Sequence, residues 1–273
     1  IVISELVDSL KNLKYPNDLY DIFVIADNCT DNTATIAKQH GAIVLERTNK
    51  IEKGKGFALE WAFDKIFKME KQYDAFCIFD ADNLVDSCFL AEMNKKMCEG
   101  YRVIQGYIDS KNPFDSWITA SYSIAFWTSN RLFQLPRSYL HMTCGLCGTG
   151  FCVDSQLIKE MGWGATCLTE DLEFTMKLAL RGICVGWSHD AIVYDEKPLT
   201  LKQSWNQRIR WMQGYADCTN RFLGKMLKKA IKEKNIVAFD CATYLLQPLR
   251  IIVYGIITLF TFMQYFYPQG GLF

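Results

Sequence analysis

The sequence predicts an α/β fold: a doubly wound, mostly parallel sheet, followed by interfacial helices and a transmembrane helix. Three observations predict it. Short β-branched runs alternate with helical patterns over the first hundred residues. Acidic residues stand directly after several of those runs. Charge then disappears between Arg250 and the C-terminus.

The chain has 273 residues, half of them hydrophobic and 14% aromatic, which suffices for one large domain or two modest ones. Formal net charge is zero, and no finger-like or RNP-like spacing occurs. No nucleic-acid partner is expected. Of eleven cysteines, the one close pair is Cys144 and Cys147 in "CGLCGTG". Without a second pair or a histidine partner this is a weak metal signal. The cysteines are read as small buried thiols in a reducing compartment.

The elements follow in order. "IVISELVDSLKNL" spaces Val2, Ile3, Leu6, Val7, Leu10 and Leu13 at threes and fours. The chain therefore opens inside a helix, and sequence is expected before residue 1. "DIFVIA" is a strand, "DNCTDNT" a turn, and "ATIAKQHG" a helix closed by Gly41. "AIVLE" is a second strand, and "GKGFALEWAFDKIFKM" a helix opened by a Gly-Lys-Gly turn. "AFCIF" is a third strand, 86–98 a helix, and "RVIQGYI" a fourth strand. Such alternation predicts right-handed crossovers and parallel pairing. Ligands then bind beyond the carboxyl ends of the strands. Asp27, Asp80 and Asp82 should gather along that edge.

Residues 115–135 read as one long helix, whose Trp117, Phe126, Trp127 and Phe133 serve core or interface. "GTGFCVD" is a short strand after a glycine turn, and "TEDLEFTMKLALRG" a helix from Thr169 to Gly182. "VGWSHDAIVYDE" supplies one or two strands, with His189 structural; 199–217 is another helix. "KMLKKAIKEK" concentrates five lysines. Residues 251–267 are 17 uncharged residues, about 26 Å as a helix. A buried core helix and a membrane span both fit; the uncharged length favours the span, with the lysines on the cytoplasmic side. The expected domains are 1–198 (catalytic), 199–235 (interfacial helices) and 236–273 (membrane segment).

Four constellations carry chemistry. Asp80 and Asp82 flank one alanine in "FDADN". Like charges that close repel, so either they share a Mg²⁺ or Mn²⁺ ion or they form an acidic helix-capping turn. Glu170 and Asp171 in "TED" suit the positive end of a helix dipole, and a carboxylate there can also act as a general base. In "QRIRW", Gln207, Arg210 and Trp211 share a helix face. That face can grip a diphosphate and stack on a sugar, or it can be an ordinary amphipathic face. Lys55 lies between two glycines at a helix start, where phosphate binds readily, although the Walker pattern is absent.

The order of these motifs resembles the membrane-bound family 2 glycosyltransferases, which include cellulose, hyaluronan and poly-N-acetylglucosamine synthases. "FVIADNCTDNTATIA", "GKGFAL", "FDADN", "GTGF", "LTEDLEF" and "QSWNQRIRWMQG" carry the resemblance, which extends to about residue 215. It implies a GT-A fold and a metal-dependent inverting hexosyl- or N-acetylhexosaminyl-transferase. The donor would be a nucleotide-diphosphate sugar, with UDP expected. The acceptor would be a saccharide or lipid at the cell membrane, with the catalytic domain on the cytoplasmic side. By the same resemblance Asp27 would read the uracil, Lys55 and Asp80 would bind the nucleotide, and Asp82 would hold the Mg²⁺ or Mn²⁺. Asp171, with Glu170 beside it, would be the base. Gln207, Arg210 and Trp211 would hold the diphosphate and acceptor. A sugar-nucleotide sensor without turnover is the alternative on the same scaffold. The family's first strand has no counterpart here, and no gating-loop motif follows "QRIRW", so polymer translocation is not expected.

Overall fold

The computed structural model describes residues 2–164 and 166–266. Helix α1 (Val2–Lys11) buries Ile3, Leu6 and Val7, as its spacing requires. Strands β1 (Phe23–Asp27) and β2 (Ile43–Arg47) pair in parallel from Phe23↔Ile43 to Asp27↔Arg47, joined by α2 (Thr33–Gln39). Next come α3 (Lys55–Ile66), β3 (Ala75–Ile78), β4 (Leu84–Val85), α4 (Phe89–Cys98) and β5 (Val103–Ser110). Helix α5 (Trp117–Ser129) passes through a π-helical turn at Asn130–Gln134 into α6 (Leu135–Tyr139). The single helix expected over 115–135 is thus broken by a wider turn. Then follow β6 (Phe151–Asp154), α7 (Ser155–Met161), α8 (Glu170–Leu180), β7 (Gly186–Asp195), α9 (Leu201–Glu233), α10 (Ile236–Leu245) and α11 (Gln247–Phe266).

The larger sheet has the order β3-β6-β5-β7-β4. The α/β class expected from the alternation is present, but pairing is less parallel than alternation suggests. Only β5 with β7 is parallel here, whereas β6 runs antiparallel to both β3 and β5, and β4 runs antiparallel to β7. Alternation reveals elements and not their direction: β6 arrives after two helices and enters the sheet from the opposite end.

Strand β5 is buried on both faces, so its apolar run is continuous. Val103 and Tyr107 join Phe63, Phe151, Trp163, Phe174 and Trp187 on one side. Ile104 and Ile108 join Ile3, Val7, Phe89, Met93 and Val193 on the other. This is the period of two that a strand imposes. Each such side chain, fully buried, contributes about 1.5–3 kcal/mol.

A third core joins α8, α9 and α10. Cys218, Phe222, Met226 and Ala230 recur every fourth residue along α9 and pack with Leu172, Met176, Cys241 and Leu245. Helix α9 is longer than the 199–217 expected. It takes in the lysine-rich stretch and ends at Lys234, whose φ is +52°. Helix α11 has no buried residue, so it is not the core helix that composition alone allowed. The last expected residue of that span, Tyr267, lies outside the described residues.

Candidate functional site

The site grows from the turn between β3 and β4. Asn83 is buried in it and acts as the hub. Its side-chain oxygen accepts from the Asp80 amide (3.1 Å) and from the Thr149 hydroxyl. Its Nδ2 donates to Asp195 Oδ1 (3.0 Å) and Asp82 Oδ1 (3.3 Å). The Asp80 amide also donates to Thr149 Oγ1 (3.0 Å). Backbone geometry thus fixes where both carboxylates stand.

A glycine loop, 148–150, faces this turn. Buried Gln105 on β5 holds it: Nε2 donates to the carbonyls of Thr149 (2.9 Å) and Gly150 (3.1 Å), while Oε1 accepts from the Cys147 amide (2.9 Å). Gly150 has φ +62°, and a Cβ added there would run into the Val193 side chain, so both backbone conformation and space favour glycine.

Lys55, at the start of α3, closes the gap. Its Nζ donates to Asp80 Oδ1 and to the Gly148 carbonyl (2.6 Å). Asp171 lies on the far side of that glycine: a Cβ at Gly148 would sit 3.5 Å from Asp171 Oδ2. Asp80, Lys55, Gly148 and Asp171 therefore form one continuous run. Glu170 belongs to the same field. Burial raises its carboxyl, while Lys55 and Arg210 oppose that rise. Asp171 is pushed up to about 7, chiefly by burial and then by Glu170. A carboxylate there is poised to exchange a proton near neutrality.

Asp82 is pushed up to about 6 by burial, then by Asp195 and Asp80. Asp80 has Lys55 as its cation, and Asp195 has Lys197 at 2.7 Å. Asp82 has the Asn83 amide. A half-buried carboxylate between two others fits a divalent cation, and its hard oxygens suit Mg²⁺ or Mn²⁺. No cluster of three or more His, Cys, Asp or Glu side chains that could hold a metal occurs among the described residues. An ion here would draw its remaining oxygens from substrate phosphates and water.

Helix α9 starts at a capping box between Thr200 and Gln203. It docks on α5 through Ser204 and the Tyr122 hydroxyl (3.1 Å), and the Trp211 ring sits 6.2 Å from that of Tyr122. Gln207 Oε1 is buried with no hydrogen-bond partner in the protein. Such an atom is costly unless a ligand satisfies it. Arg210 is exposed, and its charge reaches Glu170.

The structure therefore brings together Lys55, Asp80, Glu170, Asp171 and Arg210, with Asp82 beside Asp80. Asp27, at the end of β1, accepts from Arg47 (2.8 Å) and Asn28 (3.1 Å). Asn83, Gln105, Thr149, Asp195 and Lys197 were not foreseen as site residues. A polar residue inside an apolar strand marked Gln105, and an acid at a strand end marked Asp195.

Comparison with known proteins gives the family and the fold. The family profile described as "Glycosyl transferase family group 2" matches residues 75–269. The beta-monoglucosyldiacylglycerol synthase of Nostoc sp. (strain PCC 7120) is 30% identical over 230 residues, covering 78% of this chain and 46% of that protein. The chain spans about half the length of the curated relatives it matches. Two solved structures share its fold. One is the mannosyltransferase PcManGT from Pyrobaculum calidifontis in complex with GDP-Man and Mn²⁺, at 16% identity, 98% and 77% coverage and TM-score 0.63. The other is S. aureus TarS 1–349 in complex with UDP-GlcNAc, at 17% identity, 82% and 62% coverage and TM-score 0.59. The fold is GT-A, and the chain belongs to glycosyl transferase family group 2.

Proposed function

We propose that this chain carries the catalytic machinery of an inverting glycosyltransferase. It would move a hexosyl or N-acetylhexosaminyl group from a nucleoside-diphosphate sugar, UDP being the expected nucleotide, to a membrane-associated lipid or saccharide. The observation that carries the reading is the continuous run Asp80–Lys55–Gly148–Asp171, which sets a lysine ammonium, the proposed nucleotide contact, near a carboxylate of near-neutral pKa.

Transfer needs negative charge stabilised on the leaving diphosphate and a proton removed from the acceptor hydroxyl. Lys55 and Arg210 supply positive charge to the diphosphate. Asp171 takes the hydroxyl proton, and Glu170 strengthens it as a base by repulsion. Gln207 Oε1 accepts a hydrogen bond from the bound substrates, and Trp211 with Tyr122 offers aromatic surface to a sugar ring. Asp27 reads the uracil. Asp82 would hold a Mg²⁺ or Mn²⁺ ion, which when bound would neutralise phosphate charge. One carboxylate base attacking from the face opposite the leaving group gives inversion, and the paired acids of a glycosidase are not needed. The name of the Nostoc relative, a glucosyl-lipid synthase, supports a lipid acceptor. The exposed α11 and the lysines at the end of α9 support a membrane setting with the catalytic unit on the cytoplasmic side.

Titration calorimetry with UDP-sugars in Mn²⁺ tests the metal role. Asp82→Asn should weaken donor binding at least about tenfold, and chelation should do the same to the unsubstituted protein. Equal binding by both proteins, with and without chelator, would falsify the assignment of Asp82.

A further inference from the structure

Two thiols sit on the seam between the base-bearing loop and α9. Cys167 Sγ lies 3.6 Å from Cys218 Sγ and 3.3 Å from the Gly214 carbonyl. Cys167 is half-buried, and Cys218 is fully buried behind it. Thr169 Oγ1 touches both sulfurs, at 3.5 and 3.8 Å. The buried Glu173 carboxylate pins this loop by accepting from the amides of Thr166 and Cys167, each at 2.8 Å. The seam has no slack, because a Cβ at Gly214 would meet Thr169 at 2.5 Å.

We propose that Cys167 and Cys218 form an oxidisable thiol pair whose closure to a disulfide, driven by a peroxide, switches the transferase off. No activity discussed above uses either sulfur. All eleven cysteines are free, and this pair joins two elements, 51 residues apart, that each carry proposed catalytic groups. Cys167 has the reactivity for the first step: the Cys218 thiol beside it holds its own thiol down at about 6.

The chemistry balances. The Cys167 thiolate attacks one peroxide oxygen; an S–O bond forms, the O–O bond breaks, and the departing hydroxide takes up a proton as water. The Cys218 sulfur then attacks the oxidised Cys167 sulfur. An S–S bond forms, the S–O bond breaks, and the Cys218 proton leaves with hydroxide as a second water. Two thiols lose two electrons and one peroxide gains them.

The mechanical effect follows from distance. Closing 3.6 Å to a disulfide bond of about 2.05 Å draws the sulfurs together by roughly 1.5 Å. Thr169 already touches α9, so the loop slides rather than compresses, and Glu170 and Asp171 move with it. A displacement of about 1 Å at a reacting group costs on the order of 100-fold in rate.

The loss of activity rests on the transferase reading; the cross-link does not. Purified protein is treated with hydrogen peroxide, digested without reductant and mapped by mass spectrometry, with donor-dependent nucleotide release followed in parallel. The expected result is a Cys167–Cys218 linked peptide, at least about tenfold loss of transfer, and recovery with dithiothreitol. Cys167→Ser and Cys218→Ala should each keep their untreated rate after peroxide. A map without the linked peptide overturns the thiol pair whatever the activity. A linked peptide with unchanged transfer overturns the switch. A protein with no transfer before treatment overturns the transferase reading, and the map then still decides the pair.

Discussion

At the scale of single residues, the site is a balance of buried carboxylates. Asp171 is the clearest case, because its carboxyl rises from 3.8 to about 7. A folded-state pKa above the unfolded value means that ionisation is resisted by the fold. The associated stability is fully present below about pH 4 and is lost as pH rises through about 7. Asp171→Asn should therefore be more stable than the parent at pH 8, by about 1–2 kcal/mol, with no gain at pH 4. Urea unfolding at the two pH values measures this, and equal stability at both would refute the buried-base picture. The same substitution should leave donor affinity in place and lower transfer by roughly 10²–10⁴-fold. In the parent, transfer should climb as pH rises through about 7, where the base ionises. A rate flat across that range would remove Asp171 from the role.

At the scale of elements, the contact between α8 and α9 sets the relation between the proposed base and the proposed diphosphate grip. Gly214 stands one turn after Trp211 and meets Thr169, the residue before Glu170. A methyl group there has nowhere to go. Gly214→Ala should push α9 from the loop, destabilise the fold by about 1–3 kcal/mol, and reduce kcat more than donor affinity. Thermal melts and steady-state kinetics check it; an unaltered kcat would show that the seam does not position the base. The thiol pair one turn further along makes the same seam chemically adjustable.

At the scale of the whole molecule, α11 is a helix that the rest of the fold leaves without a buried residue. From Leu249 onward every residue of α11 is exposed, including Ile252, Ile256, Ile257 and Leu259, and exposed apolar area of this extent marks a surface for lipid or a protein partner, of which the proposed function takes lipid. Paired substitutions Ile256→Asp and Ile257→Asp place charge at the centre of the helix, at about 2.5–3.5 kcal/mol each. The protein should then leave the floating fraction in a vesicle flotation gradient. Continued flotation would mean that another surface holds the membrane.

Most of the elements, the order of the motifs and the apolar tail were legible in the sequence, whereas β4, α7, α10 and the π-helical break after α5 were not. The legible features depend on spacing over a few residues, which strand and helix periods translate directly into faces. Asp80, Lys55, Asp171 and Gln207 were legible for that reason, since each sits at a strand end, a helix start or a repeated helical offset. Packing in three dimensions settled strand direction, the partner of each carboxylate and the pairing of Asp27 with Arg47. It also revealed Asn83 and Gln105 as the polar hubs. The contacts that decide these things are long in sequence: Lys55 meets Asp80 across 25 residues and Gly148 across 93. Neither separation leaves a local trace, because it is fixed by how both faces of β5 pack and by which buried polar groups must find partners.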